Sequence, residues 1–499
     1  MNAAVSIHRT NDDASRSRPS PEPTPCYNPA TGELVGVSPL DGVETVAAAV
    51  KRGRAVQPAW AALPLADRCK AILKVRDYIV AHADEIADTI SKDNGKTRVD
   101  AMATEVLASA MAASYYAANA ERFLAPKRLK PGNLLLANKI SKIVRVPFGV
   151  IGIISPWNYP FAIPFSEVVM GLLSGNAVIL KAASQTQLVG RMLERCFQAA
   201  DLPEGIFTYL NLPGRYAGDA LLESGINKMF FTGSVPIGKK LMAKAAETLT
   251  PVSLELGGND PMLVCPDADL ERATNGALWA GMQNAGQSCG GVERIYVHKD
   301  VYEPFLVLLA KKVRALRVGP DEDFNVDMGA MTTTTQVDTV RYHIDDAVAK
   351  GARVYAQSSC PKDTRGYFLP ATVLVDVDHT MAVMREESFG PVVGVMKVES
   401  MEEAIQLAND SNLGLTASIW SRNWREAERI GRCVHAGAVT INDHLMTHGL
   451  AETPWGGFKE SGVGRTHGEL GFDEMTEAQV VVQDFLPGVK RNMWWYPHS

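Results

Sequence analysis

The chain has 499 residues, of which 46% are hydrophobic and 21% are charged, a balance typical of a globular protein with two or three domains. With 50 basic against 56 acidic side chains, the net charge of −6 argues against a nucleic-acid partner. Seven cysteines without CxxC spacing predict neither a zinc site nor a disulfide framework. No apolar run approaches the roughly 18 to 20 residues of a membrane span. We therefore expect a cytoplasmic protein with no metal site and no membrane insertion.

The first quarter of the chain is predicted to be helical after a polar start. Residues 1–25 are rich in Ser and Pro, and we interpret them as a loose arm. Apolar residues then recur every three or four positions in the segments 43–56, 68–90 and 103–123. This periodicity predicts amphipathic helices.

Strands alternate with helical stretches in the rest of the chain. Strand-like runs occur in KIVRV, VIGIIS, NAVIL, IFTYL, KMFF and SLEL, and a second series extends from PMLV through RIYV, ARVYA, TVLVDV and ASIW to AVTI. This alternation predicts two α/β lobes with parallel, doubly wound sheets. The last strand, in TEAQVVVQDF, is expected to pair with KIVRV in a small sheet of the kind that serves oligomerisation.

Three polar residues have the properties needed for nucleophilic chemistry at a carbonyl. Cys289 lies among small residues in NAGQSCGG, where a thiol is accessible. Glu255 ends a strand before two glycines and is a candidate base, and Asn158, between two prolines in PWNYP, is a candidate oxyanion donor. Each residue alone also has a purely structural explanation: an inert cysteine, a loop cap, and an asparagine that satisfies its own turn.

Two strand-to-helix connections are candidates for binding a dinucleotide. Lys181 follows the strand NAVIL, and FTGSVPIG forms a turn with Gly233 and Gly238 after the strand KMFF. Neither is a GxGxxG fingerprint, so this signal is weak by itself.

Taken in order, the motifs PWNYP, VILKAAS, FTGS, LELGG, GQSC, EESFGP and PWGGFKESGVGR resemble the signature series of the aldehyde dehydrogenase superfamily. The resemblance extends from about residue 27 to about residue 485. It implies an α/β fold with a variant Rossmann cofactor domain, a related α/β catalytic domain and a small bridging sheet that joins subunits into a homodimer or homotetramer. The expected ranges are 1–25 for the arm, 26–124 and 148–258 for the cofactor-binding domain, 259–458 for the catalytic domain, and 125–147 with 475–499 for the bridging segment.

The same resemblance implies NAD(P)-dependent oxidation of an aldehyde to a carboxylic acid, through a cysteine thiohemiacetal and a thioester that water hydrolyses. Cys289 corresponds to the nucleophile, Glu255 to the general base and Asn158 to the oxyanion-hole amide. The positions that the resemblance assigns to cofactor binding are Ser155, Trp157, Lys181, Ser184, Gly214, Gly218, Phe231, Thr232, Gly233, Ser234, Leu256, Glu387 and Phe389.

Three positions depart from the common family pattern. Ser184 lies where many NAD-preferring members carry a glutamate that binds the adenine ribose, so we expect NADP to be accepted, with NAD use left open. Glu167 lies where the hydrolytic branch often has a relay lysine, and Thr466 lies where many relatives have an acidic residue. The secondary proton path therefore stays open.

Two alternative functions and the identity of the aldehyde also stay open. A CoA-acylating dehydrogenase would pass the thioester to a thiol, and Glu255 argues against it because that branch commonly lacks the base. A catalytically silent binding protein of the same fold is the third possibility. Succinic semialdehyde is suggested by the cofactor site, whereas the apolar loop around Met282 favours an apolar aldehyde. The C-terminal aromatics Trp494, Trp495 and Tyr496 either pack on a neighbouring subunit or on the bridging sheet, or they edge the substrate tunnel or touch a membrane surface.

Overall fold

The computed structural model describes residues 22–362, 364–486 and 495. Its helices are α1 Val43–Ala62, α2 Leu65–Ala81, α3 Ala83–Asn94, α4 Arg98–Ala101, α5 Leu107–Leu124, α6 Ala162–Leu173, α7 Gln187–Gln198, α8 Gly214–Glu223, α9 Val235–Ala246, α10 Leu270–Met282, α11 Tyr302–Ala315, α12 Thr334–Ala349, α13 Met401–Asn409, α14 Trp424–Gly431, α15 Met446–Gly449 and α16 Gly468–Glu474. Among the described residues, no helix is both long and apolar enough to cross a bilayer.

The strands form two large sheets and three small ones. They are β1 Thr24–Tyr27, β2 Leu34–Ser38, β3 Lys127–Leu129, β4 Lys139–Pro147, β5 Val150–Ile154, β6 Ala177–Lys181, β7 Phe207–Leu210, β8 Lys228–Thr232, β9 Val252–Glu255, β10 Asp260–Val264, β11 Val292–His298, β12 Arg353–Gln357, β13 Thr372–Val375, β14 Val392–Val398, β15 Leu413–Gly414, β16 Thr416–Trp420, β17 Ala438–Ile441, β18 Phe458–Lys459, β19 Gly462–Val463 and β20 Thr476–Asp484.

The predicted helical layer is present, with one division that periodicity did not predict. The segment 68–90 forms two helices, α2 and α3, which separate at His82 (φ −117°, ψ 24°). The third predicted helix begins within a π-helical turn, Met102–Val106, and continues as α5. A π-turn shifts the side-chain register, and this one turns Glu105 into the interior.

The first large sheet has the strand order β19-β9-β8-β5-β6-β7, and all its strands are parallel except β19. Strands β5 and β6 are buried along their whole length. Continuous apolar runs suit such strands because helices cover both faces of the sheet. The carboxyl ends of β6, β8 and β9 carry Lys181, Thr232 and Glu255 to one edge.

The second large sheet has the order β12-β13-β14-β11-β10-β16-β17 and is parallel except for β12. It has its own apolar core, separate from the core of the first sheet. The chain passes from one sheet to the other between Glu255 and Asp260. The predicted α/β fold with two parallel sheets is confirmed, while the exact domain ranges remain a prediction.

Strand β20 pairs with β4 from Thr476↔Pro147 to Asp484↔Lys139, as the sequence predicted, and β3 completes this three-stranded sheet. The predicted arm includes two residues that the structure places in a strand. Thr24 and Pro25 belong to β1, which pairs with β2 around a turn and buries Cys26. Residues 1–21 lie outside the described part, as do Trp494 and Tyr496, whereas Trp495 is exposed.

Candidate active site

Cys289 lies in the loop between α10 and β11. Before it, Asn284 and Ala285 both have left-handed φ angles, 54° and 53°, which non-glycine residues adopt only when their surroundings stabilise them. The Asn284 amide supplies part of that stabilisation by donating to the carbonyl oxygens of Asn158 (2.9 Å) and Gln287 (3.1 Å). Cys289 is thereby presented, partly exposed, at the junction of two cavities.

Asn158 is buried on the turn after β5, beside the Cys289 loop. Its Nδ2 donates to the carbonyl oxygen of Gln287 at 3.2 Å, and an amide nitrogen has two N–H groups, so one donor remains for a further acceptor. The backbone of this turn is held by a further hydrogen bond, which the Lys96 ammonium donates to the Asn158 carbonyl oxygen at 2.8 Å. Asn158 is therefore a preorganised donor in the sense that an oxyanion requires.

Lys96 and Glu105 form a fully buried ion pair at 2.6 Å. The second oxygen of Glu105 accepts from the backbone N–H of Phe161 at 2.7 Å, so the pair connects the π-helical turn to the segment that carries Asn158. The sequence analysis missed both residues. Isolated charges on a helical segment usually face solvent, and no motif marks these two as buried.

Glu255, at the end of β9, is buried, and neither of its carboxylate oxygens has a hydrogen-bond partner in the described residues. Burial, and next the charge of Glu167, raise its pKa well above the usual range, against a smaller opposing effect of Arg465. Burial also raises the pKa of the Cys289 thiol, and the nearby carboxylates of Glu387, Asp260 and Glu255 add to this rise. The thiol is therefore protonated here and needs a base, and Glu255 shares a cavity with it.

The first cavity, about 250 Å³, contains all three predicted catalytic residues in its wall. Predicted cofactor residues that also line it are Trp157, Thr232, Gly233, Ser234, Leu256, Glu387 and Phe389. Trp157 and Phe389 meet edge to face with ring centroids 5.4 Å apart, and Glu387 accepts from the backbone N–H of Gly258 at 2.9 Å. The sequence analysis missed Pro156, Gly257, Gln336 and Thr339, of which the last two lie on α12 outside any motif.

The other predicted cofactor residues lie outside the wall of this cavity: Ser155, Lys181, Ser184, Gly214, Gly218 and Phe231. Lys181 is nearly buried and burial lowers its pKa to about 8, while a Cβ added at Gly214 would lie 3.7 Å from its Nζ. Gly218 packs closely on Leu241, and the Phe231 ring packs on Gly233. Ser184 is exposed near the same sheet edge.

These residues suit a dinucleotide. The hydroxyls of Ser155 and Thr232 are buried without a hydrogen-bond partner in the described residues, as expected of groups that await a polar ligand. The backbone at Gly257 can approach a ligand because no side chain intervenes, and the N-terminus of α9 follows Ser234 with no side-chain cap. An ammonium, two hydroxyls and a free helix N-terminus match ribose and pyrophosphate chemistry.

The second cavity, about 260 Å³, meets the first at Cys289 and is largely apolar. Its wall consists of Ala103, Thr104, Leu107, Ala108, Met111, Tyr159, Trp279, Gln283, Ser288, Cys289, Leu445, Met446, His448, Gly449 and Trp455. Met282, from which the sequence analysis inferred an apolar loop, is buried and does not belong to this wall.

A water-sized cavity, about 10 Å³, connects Cys289 and Glu255 with the residues that depart from the family pattern. Glu167 and Thr466 both line it. Burial raises the pKa of Glu167 to about 8, and its Oε2 has no partner in the described residues. Polar and apolar side chains both line the cavity, and its volume is that of about one water molecule.

Residues 16–481 match the model of the aldehyde dehydrogenase family. A putative succinate-semialdehyde dehydrogenase [NADP(+)] of Mycolicibacterium smegmatis is 38% identical over 471 residues, which cover 94% of this chain and 89% of the relative. A 4,4'-diapolycopene aldehyde oxidase of Methylomonas sp is 38% identical over 444 residues, covering 89% and 82%.

Solved structures show the same similarity. The NAD+ complex of an aldehyde dehydrogenase from Bacillus cereus is 33% identical, with a TM-score of 0.88 and coverage of 93% of this chain and 94% of that one. Lactaldehyde dehydrogenase from Escherichia coli is 31% identical, with a TM-score of 0.88 and coverage of 93% and 96%.

Proposed function

Since this chain belongs to the aldehyde dehydrogenase family and is an NAD(P)-dependent enzyme that oxidises an aldehyde to a carboxylic acid, we propose that it works through a covalent intermediate on Cys289. The family match confirms the resemblance drawn from the seven motifs. The observation that carries the covalent step is the position of Cys289 at the junction of the two cavities, in one wall with Glu255 and Asn158.

The proposed reaction begins when the Cys289 sulfur adds to the aldehyde carbon and its proton passes to Glu255, whose raised pKa suits it to hold a proton. The remaining N–H of the Asn158 amide and the backbone N–H of Cys289 would bind the oxyanion of the thiohemiacetal. Each well-placed donor contributes roughly 3 to 4 kcal/mol in such sites.

A bound nicotinamide would supply the acceptor for the hydride whose loss converts the thiohemiacetal into a thioester. The nicotinamide part of the cofactor would be held by Trp157, Thr232, Glu387 and Phe389. The adenosine ribose would be held by Lys181. After Glu255 has released the thiol proton to solvent, it removes a proton from the water that attacks the thioester carbon. It then returns this proton to the departing Cys289 sulfur, which releases the acid and restores the thiol. Because Glu255 is present beside Cys289, hydrolysis is favoured over transfer to CoA.

We also propose which cofactor the enzyme uses, which sheet forms the contact between subunits, and where the enzyme is located. An exposed Ser184 near Lys181 places no carboxylate against a 2′-phosphate, which supports the use of NADP, and one relative bears NADP(+) in its name. Val480 and Val482 on β20 are exposed on the three-stranded sheet, so this sheet is the proposed contact of a homodimer or homotetramer. A cytoplasmic location is also proposed, because the cysteines are free thiols.

The test is an assay of cofactor reduction with a panel of aldehydes, without CoA, together with product analysis. We expect NADPH or NADH and an equal amount of carboxylic acid. Cys289→Ser should abolish turnover while cofactor binding persists. A requirement for CoA, or an unchanged rate in Cys289→Ser, would contradict the proposal.

A further inference from the structure

We propose that the substrate of this enzyme is an elongated, apolar aldehyde that carries no carboxylate. Its carbonyl would lie at Cys289 and its tail along the wall of the second cavity, out to the rim. This inference rests on the proposed function, because it concerns the cavity that opens on the nucleophile.

Among the described residues, none that lines the second cavity carries a charged side chain. Its histidine, His448, is half-buried, and desolvation lowers its pKa to about 4, so it is neutral at pH 7. A carboxylate in this cavity would lose its hydration without gaining a cation. Dicarboxylic semialdehydes such as succinic semialdehyde are therefore poorly matched to this wall.

A buried cation does lie behind the wall, but its charge is already neutralised. The Lys96 ammonium is 4.3 Å from the centroid of the Tyr159 ring, and it is bound to Glu105 at 2.6 Å with both side chains fully buried. A substrate carboxylate would have to compete with that ion pair, and the ring of Tyr159 lies in the cavity wall.

The polar groups of the wall largely satisfy one another. The Tyr159 hydroxyl donates to Gln283 Oε1 at 2.6 Å, which leaves Gln283 Nε2 as a neutral donor without a partner in the described residues. One neutral N–H can bind a hydroxyl or ether oxygen, but it does not replace a cation for a carboxylate.

The rim of the cavity is also apolar, and it extends to the protein surface. Leu107 and Met111 on α5 are each 53% exposed, Met446 on α15 is 46% exposed, and Trp279 on α10 is 40% exposed. A short aldehyde would leave these side chains in water, whereas a longer tail would cover them. Binding therefore favours length as well as apolarity.

The first experiment measures kcat/KM of the full-length enzyme for propanal, hexanal, decanal and 6-oxohexanoate. Hexanal and 6-oxohexanoate differ by a terminal carboxylate on the same carbon chain. We expect kcat/KM to rise more than about tenfold from propanal to decanal, and to be about 100-fold lower for 6-oxohexanoate than for hexanal. This inference alone would be overturned if kcat/KM for 6-oxohexanoate were equal to or higher than that for hexanal, or if kcat/KM did not depend on the length of the aldehyde. The proposed function would be overturned if none of the aldehydes were oxidised.

A second experiment tests the rim with a matched pair of variants. Trp279→Ala should lower the ratio of kcat/KM for decanal over that for propanal about tenfold, because only the longer tail reaches the rim. Trp424→Ala removes an exposed tryptophan of α14 that is not part of the cavity wall, and it should change neither substrate. Equal losses for decanal and propanal in Trp279→Ala would contradict a tail contact at this position.

Discussion

We predict that the carboxyl group of Glu167, which lines the water-sized cavity, destabilises the folded protein at neutral pH. Burial raises its pKa to about 8 from the value of 4.5 of an unburied glutamate. At pH 7 the folded protein keeps this proton, while the unfolded chain releases it. Stability is therefore full below pH 4.5 and declines as the pH rises toward 8.

The size of this stability loss follows from the pH interval in which Glu167 is ionised in the unfolded chain but protonated in the folded protein. Each pH unit costs about 1.36 kcal/mol, so the two and a half units between pH 4.5 and pH 7 cost up to about 3 kcal/mol. Glu167→Gln keeps the size of the side chain and cannot ionise. We expect the variant to be more stable than wild type at pH 7 by up to about 3 kcal/mol, with the difference shrinking toward pH 5.

The assay is the thermal unfolding midpoint by calorimetry at pH 5, 6, 7 and 8, with the exposed Glu303→Gln as the control variant. Where Glu167 is ionised, above about pH 8, its charge raises the pKa of Glu255, so Glu167→Gln should shift only the alkaline part of the pH profile of kcat to lower pH. The reasoning would be refuted by a stability difference that is the same at every pH. It would also be refuted by a variant that is less stable than wild type at pH 7 and equal to it at pH 5.

Three further substitutions address other parts of the site. Asn158→Ala should lower kcat about 100- to 1000-fold with cofactor affinity unchanged, as measured by steady-state kinetics and cofactor titration, and a loss below tenfold would argue against an oxyanion role. Lys96→Met leaves the Glu105 carboxylate buried without its partner, so the unfolding midpoint should fall, corresponding to roughly 3 to 5 kcal/mol, and an unchanged midpoint would contradict the importance of the pair. Ser184→Glu should raise the ratio of kcat/KM for NAD over NADP at least about tenfold, and an unchanged ratio would separate this position from the 2′-phosphate.

The parallel sheets were predictable because their strands are buried on both faces and are therefore apolar along their length. Strand β14, VVGVMKV, has the same character but directly follows the EESFGP motif, and it was not recognised as a strand. The β1–β2 hairpin was missed because polar residues and prolines surround Thr24–Tyr27, so that the segment resembles a continuation of the arm.

The catalytic candidates were predictable from motifs, but the side chains that hold them were not. Nothing in the sequence marks Lys96 and Glu105 as partners, because their burial arises from the packing of the π-helical turn against the PWNYP turn. The left-handed backbone at Asn284 and Ala285 was equally hidden, since neither residue is glycine. The apolar wall of the second cavity combines residues from α5, α10 and the loop around α15, which are far apart in sequence.

The central claim is a covalent bond between the Cys289 sulfur and the substrate carbon, broken by water that Glu255 activates. Glu255→Gln removes the base for both steps, so the bond should form more slowly than in wild type and should then persist unhydrolysed. After mixing with hexanal and NADP+ or NAD+, mass spectrometry of the denatured variant should show one added hexanoyl group on the peptide that contains Cys289, with about one equivalent of reduced cofactor. An unmodified Cys289 after that single turnover, or steady turnover at the wild-type rate, would contradict the account.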